Sequence, residues 1–127
     1  MLFRSEMDQD LKVDAFNIKE VQLRLPATKH KWAGRFIRHK LELAALQKSR
    51  EIKTKELATK VMNLSPVKIS EYTAEKSIQN TDSLKEIDEK INEIKLIIEL
   101  LEKSEKTFSS MTWDIKNCID LMKAETM

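Results

Sequence analysis

One glycine, Gly34, and two prolines, Pro26 and Pro66, are all the backbone punctuation in a chain of 127 residues. Strand-rich and α/β folds place glycine at turns, bulges and phosphate loops. A chain with almost none is confined to long helices joined by few connections. The residues it carries instead are Glu, Lys, Leu, Ile and Ala at helical spacing, which fits a bundle or coiled coil. The expected fold class is therefore all-α. With 35% charged and 6% aromatic residues, these helices have little material for a thick apolar interior. Chains of this kind often bury their apolar stripes against copies of themselves.

Along the chain, Asn17-Ile18-Lys19-Glu20 has the spacing of a capping box, and Phe16 and Val21 are placed for a hydrophobic staple. They predict a short helix over 17–25 with Ile18, Val21 and Leu25 on one face. Pro26 cannot donate to a preceding turn, so it breaks or kinks the chain and suits the start of a new helix. That long basic helix is expected over 26–63, ended by Asn63-Leu64-Ser65-Pro66. Trp32, Phe36, Leu43, Leu57 and Val61 mark one of its faces. Ile37, Leu41 and Ile52 mark another, the pattern of a helix covered on two sides. Residues 64–82 read as a connector holding a short helix around Glu71–Ser77. Residues 1–6 read as a disordered tail, with Met7 an alternative start to Met1. The whole chain, 1–127, reads as one domain.

The C-terminal third carries the clearest periodicity. Ser83-Leu84-Lys85-Glu86 has the form of a second capping box and predicts a helix over 83–123. Leu84, Ile87, Ile91, Ile94, Ile98 and Leu101 follow a strict 3,4,3,4,3 spacing, the seam of a coiled coil. Phe108, Ile115, Ile119 and Met122 continue it, with Glu105 and Thr112 as polar interruptions and a bend expected at Ser109-Ser110. These residues form the expected oligomerisation seam. The alternative is that this helix packs only on the chain's own long helix.

A net charge of +2 conceals two opposed halves. From Lys29 to Lys60 ten basic residues face three acidic ones, a net of +7, with His30 and His39 besides. From Glu71 to Lys106 six lysines face ten acidic residues, a net of −4. The basic half points to a polyanion partner; alternatively, the two halves attract each other between copies. At about 100° per residue, Lys31, Arg35, Arg38, Arg50, Lys53 and Lys60 fall within an arc of about 120°, while Lys48 and Lys55 point nearly the other way. Lysine and arginine hold phosphates by counterion release, without reading sequence. Trp32 and Phe36 lie among them, either to stack on bases or as core.

Enzyme chemistry is not expected. A lone glycine makes no phosphate loop, and His30 and His39 have no carboxylate at the spacing of a zinc helix, so neither metal nor cofactor is implied. Cys118 excludes an intramolecular disulfide, fits a reducing compartment and reads as a small buried residue. No secretory signal and no apolar run near the roughly 20 residues of a bilayer span are present. A soluble, intracellular protein with no membrane partner is expected.

The order Asp10-Leu11-Lys12, Asp14, Phe16, Ile18, then Lys31-Trp32 and the run to Leu46, resembles the UvsY family of phage recombination mediators. The similarity resumes from Ser83 to Met122, through Ile115-Lys116 and Ile119, while Val67–Asn80 matches poorly and is shorter. The resemblance implies ring-like homo-oligomers, hexamers or heptamers, that bind single-stranded DNA in the cytoplasm of an infected host. Such proteins help a RecA-like (UvsX-type) recombinase displace the single-strand-binding protein and nucleate its filament. The family's basic Leu-Lys-Ala-Arg stretch corresponds to Ile52-Lys53-Thr54-Lys55, so Lys53 and Lys55 inherit DNA contact by position. Lys48, Arg50, Lys60, Arg35 and Arg38 complete the candidate set. The family's following Asp-Tyr-Tyr is replaced by Leu57-Ala58-Thr59. The family's oligomerisation depends on its C-terminal region, in agreement with the seam. The rival reading is an oligomeric coiled-coil scaffold or adaptor whose basic helix docks on an acidic protein.

Overall fold

The computed structural model describes residues 2–14 and 16–126. Four helices follow in chain order: α1 (Leu2–Leu11), α2 (Ile18–Leu64), α3 (Glu71–Ser77) and α4 (Asp82–Thr126). No strand occurs among the described residues. The chain is all-α.

Several boundaries differ from the sequence reading for identifiable reasons. The described part of the expected N-terminal tail belongs to α1, where Met7 is buried. Pro26 lies inside α2, which runs unbroken for 47 residues. Proline removes the N–H that would bond to the Gln22 carbonyl, but Gln22 lies on the exposed side of the helix, where solvent can satisfy that oxygen. On the inner side Val21, Leu25 and Trp32 are buried on either flank of Pro26 and hold the helix in register. The cap also sits one turn earlier than expected. The Asp14 carboxylate accepts from the N–H groups of Phe16 (2.8 Å) and Asn17 (3.0 Å), and Asn17 Oδ1 accepts from the Asp14 N–H at 2.7 Å. Turned backward in this way, Asn17 makes no box with Glu20, and Phe16 is 99% exposed rather than stapled to Val21. Likewise α4 starts at Asp82, with the Lys85 N–H on the Thr81 carbonyl at 3.0 Å, so Ser83 lies within its first turn. α4 continues through Ser109 and Ser110, where the Ser110 hydroxyl donates to the Thr107 carbonyl at 3.0 Å.

The helices pack as two compact units, one of residues up to Ile37 with those from Glu99 on, the other Arg38–Ile98. In the first, Ile18, Val21, Leu25 and Trp32 of α2 and Leu101, Phe108, Met111 and Ile115 of α4 are buried. Trp32 stacks on Phe108 at 6.4 Å between ring centroids, and Lys29 Nζ donates to Thr112 Oγ1 at 2.7 Å. These two contacts run in opposite directions along the helices, so the segments are antiparallel. Each large apolar side chain fully buried here contributes roughly 1.5–3 kcal/mol.

α1 closes over the same Trp32. Phe3 meets its ring edge-on at 6.0 Å, and Asp10 Oδ2 accepts from both its indole N–H (2.8 Å) and Lys31 Nζ (2.6 Å). Glu6 accepts from Lys31 at 3.1 Å and takes both arms of the Arg35 guanidinium at 2.8 and 3.2 Å.

In the second unit the buried residues are smaller: Thr54 and Ala58 of α2, Ala74 of α3, Ile78 just after it, and Leu84 and Ile91 of α4. The Thr54 hydroxyl returns a bond to the Arg50 carbonyl at 2.8 Å. α3 is capped by Ser70, which accepts from the Thr73 N–H at 3.1 Å.

Two predictions follow from these contacts. Gly34 adopts no positive φ and a Cβ there meets nothing within 4 Å, so Gly34→Ala gains about 0.5–1 kcal/mol; Pro26→Ala, by restoring a donor, gains about 1–3 kcal/mol. Urea denaturation followed by circular dichroism reads both. Separately, hydrogen bonds from Arg35, then from Lys31, hold the Glu6 carboxyl below its ordinary value near 4.5. A group depressed on folding stabilises above its unfolded pKa and loses that contribution as pH falls through the folded value. Docking of α1 therefore loosens in acid below the ordinary glutamate range. In the Trp113→Phe protein, where Trp32 is the remaining tryptophan, its fluorescence shifts there before the helical signal is lost.

Candidate nucleic-acid interface

Packing against other helices sorts the basic residues of α2 into engaged and exposed sets. Arg35 belongs to the first. It is half-buried in the α1 contact, with its guanidinium 4.5 Å from the Trp32 ring centroid and 5.1 Å from that of Phe3. Arg50 belongs there too. Its Nε donates to Asp88 Oδ1 at 2.5 Å and its Nη2 to Asp88 Oδ2 at 3.3 Å and to Gln79 Oε1 at 2.8 Å. The Asp88 hydrogen bond, acting against partial burial, raises the Arg50 pKa further above its ordinary value. A fork of this kind fixes register as much as it adds energy. Arg35 and Arg50 thus join helices within the protomer.

The remaining candidates lie in the second unit. Arg38, Lys48, Lys55 and Lys60 are exposed and Lys53 is half-buried. Lys53 reaches Glu56 at 3.9 Å and Lys55 reaches Glu51 at 3.4 Å, both within α2. Such surface pairs contribute about 0.3–0.5 kcal/mol and exchange readily for a phosphate. By helical phase Arg38, Lys53 and Lys60 share one flank, with about 33 Å between its ends at 1.5 Å per residue. Lys48 and Lys55 project from the outer side. The structure therefore keeps five cations at the surface along one segment of helix, on two adjoining faces rather than one stripe. Monovalent contacts on an exposed helix of this kind suit a flexible polyanion whose backbone follows the side chains.

Of the two readings left open for Trp32 and Phe36, stacking on bases or core, the structure favours core. Trp32 is 2% exposed and Phe36 half-buried, so both serve packing. The exposed aromatics near cations are Tyr72, with Lys76 Nζ 5.5 Å from its ring centroid, and Trp113, with Lys116 Nζ at 5.4 Å. An aromatic followed by lysine at i+3 or i+4 was the available signal; in Tyr72 it falls in the least patterned part of the chain. Cys118, expected to be buried, is exposed.

The residues of the expected seam lie on the inner side of α4. Leu84, Ile91, Leu101, Phe108 and Ile115 are buried within one chain, Ile87, Ile94, Ile98 and Ile119 are half-buried, and Met122 is exposed. Among the described residues no helix is long and apolar enough to cross a membrane.

Removing Asp88 tests the division between engaged and exposed cations. Asp88→Ala leaves Arg50 half-buried without its carboxylate and costs about 1–3 kcal/mol in denaturant unfolding, whereas Lys48→Ala changes stability by less than about 0.5 kcal/mol.

Comparison with known families gives a match to the model described as "Recombination, repair and ssDNA binding protein UvsY", over residues 6–126. No curated protein and no solved structure matches the chain significantly.

Proposed function

The chain belongs to the UvsY family of recombination, repair and single-stranded-DNA-binding proteins, and on that premise we propose that it is a recombination mediator without catalytic chemistry of its own. In this reading it assists a RecA-like (UvsX-type) recombinase in loading onto DNA covered by single-strand-binding protein, and it works as a homo-oligomeric ring in the infected cell. The observation that carries the reading is the cationic segment of α2 in a chain of this family. Lys53 and Lys55 make the central phosphate contacts, with Lys60 and Arg38 extending them.

The physical logic is additive. Each phosphate contact displaces counterions and is weak alone. Copies joined in one assembly present their contacts at high effective concentration, so affinity rises without deeper binding by any one side chain. A strand held by many shallow contacts bends around the assembly, which disfavours a protein that needs it in another path and leaves its bases available to a recombinase.

Binding of a fluorescent single-stranded oligonucleotide across a salt series tests the reading. Log affinity falls linearly with log salt, and Lys53→Ala/Lys55→Ala lowers the slope by about 0.7 for each contact removed. Loss of affinity with an unchanged slope would mean that these lysines act on folding and not on phosphate. A flat salt response in the parent protein would refute the assignment.

A further inference from the structure

The contact between α1 and α2 is divided by chemistry. In five hydrogen bonds every donor belongs to α2 and every acceptor to α1. Lys31 Nζ, the Trp32 indole N–H and both arms of Arg35 converge on the Glu6 and Asp10 carboxylates at 2.6–3.2 Å. The apolar part of this face of α1 is thin: Met7 is buried, while Phe3 and Leu11 are half-buried.

The donors do not depend on α1 for their positions. Arg35 packs 4.5 Å from the ring of Trp32 on its own helix, and Trp32 stacks on Phe108 of α4. Without α1, two cations and an N–H donor remain gathered on one patch of the first unit. α1 itself is ten residues long, shorter than the roughly 12–15 at which an isolated helix becomes marginally stable in water. Its helix therefore depends on the docking, whereas the patch beneath it does not.

We infer that Lys31, Trp32 and Arg35 form a phosphodiester-binding site that α1 occupies in cis, with Glu6 and Asp10 standing where two successive phosphates of a single strand bind. The inference rests on the reading of this chain as a single-strand binder and adds to it a site in the first unit, distinct from the four cations assigned above. The carboxylates resemble the ligand in form. A phosphodiester, like a carboxylate, offers two oxygens that share one negative charge, and both accept the paired N–H groups of a guanidinium. Glu6 and Asp10 lie one helical turn apart, about 6 Å along the axis, which is close to the step between phosphates of an extended strand. As part of the same chain, α1 competes at high effective concentration, so a strand gains the site only as α1 leaves. Apparent affinity at this site then scales with the fraction of molecules in which α1 is undocked.

Oligonucleotide binding by the full chain at physiological ionic strength, where distant charges are screened, tests the inference. Glu6→Gln/Asp10→Asn keeps the shape of the contact, removes its charge and binds at least about fivefold more tightly than the parent. Asp8→Asn/Glu20→Gln, at two exposed carboxylates, changes net charge equally and stays within about twofold of the parent. Adding Lys31→Gln/Arg35→Gln to the first pair cancels its gain and lowers the log–log salt slope by about 0.7 for each cation removed. Circular dichroism confirms helix in every variant. Hydrogen exchange needs no substitution: saturating oligonucleotide speeds exchange of the α1 amides in the parent at least about tenfold, while α2 around Val21 and Trp32 stays protected. A Glu6→Gln/Asp10→Asn protein that binds no more tightly than the charge control would overturn the inference. So would a salt slope indifferent to Lys31 and Arg35, or α1 amides as protected with oligonucleotide as without. If the parent binds and these outcomes still fail, the assignment of Lys53 and Lys55 stands; a parent that ignores the oligonucleotide overturns both.

Discussion

Each long helix is held by a single narrow inner stripe, and every other feature of the protein follows from how that stripe is filled. In the first unit it is filled well: Trp32, Phe108, Leu101 and Ile115 supply large apolar surfaces, and α1 seals Trp32 from outside. In the second unit α2 contributes only Thr54 and Ala58 as fully buried residues. Their small area returns little on burial. The Arg50–Asp88 fork and the short α3, which inserts Ala74 and is followed by the buried Ile78, therefore take a larger share of fixing the helices there. A half-buried ion pair contributes less to stability than to register, because its Coulomb gain is offset by lost hydration. A slip of one residue would part the guanidinium from its carboxylate and rotate the stripe outward.

The same stripe determines which charges are available. Once the inner face is assigned, helical phase leaves no freedom in where the remaining cations point. Arg50 falls inward and becomes structural, as does Arg35 beneath α1, although in sequence they are indistinguishable from Arg38 or Lys60. Arg35 and Arg50 are neutralised by Glu6 and Asp88, whereas Lys53 and Lys55 are paired only within α2, so the charge left for a polyanion lies with the lysines and Arg38 of its surface.

How much of this was legible in the sequence varies with the range of the forces involved. Helix content was readable because scarce glycine and repeated 3,4 spacing are local properties. The helical turn at Glu71–Ser77 was equally local, a serine cap followed by helix formers. Pro26 misled because its local cost is real but is overridden by burial of Val21, Leu25 and Trp32 on both sides of it, a tertiary effect. The cap at Asp14 was missed because Asp14 and Asn17 also have reciprocal spacing, and nothing local ranks one box over the next. The pairing of Arg50 with Asp88 joins residues far apart in sequence and could not be read from either. Trp32 illustrates the hardest case: a tryptophan among cations is equally consistent with stacking on a base and with a core, and only the discovery of Phe108, Phe3 and Asp10 around it decides.

The candidate site is thus defined by exclusion, through what the fold does not consume. A helix whose inner side is packed and whose remaining surface carries both apolar and cationic residues has two separate demands left. Apolar surface gains by losing water altogether, which requires a close-fitting, dehydrated partner. Lysine gains by exchanging counterions for phosphates while staying hydrated, which requires an open groove or edge. The two requirements differ in how much water the partner must exclude. Leu41 and Ile52 face outward on α2 while Arg38, Lys53 and Lys60 lie along its flank, so the two kinds of surface are segregated on one helix. Lys55, like Lys48, projects from the outer side of α2, and its long stem lets the ammonium reach solvent while the methylenes cover apolar neighbours.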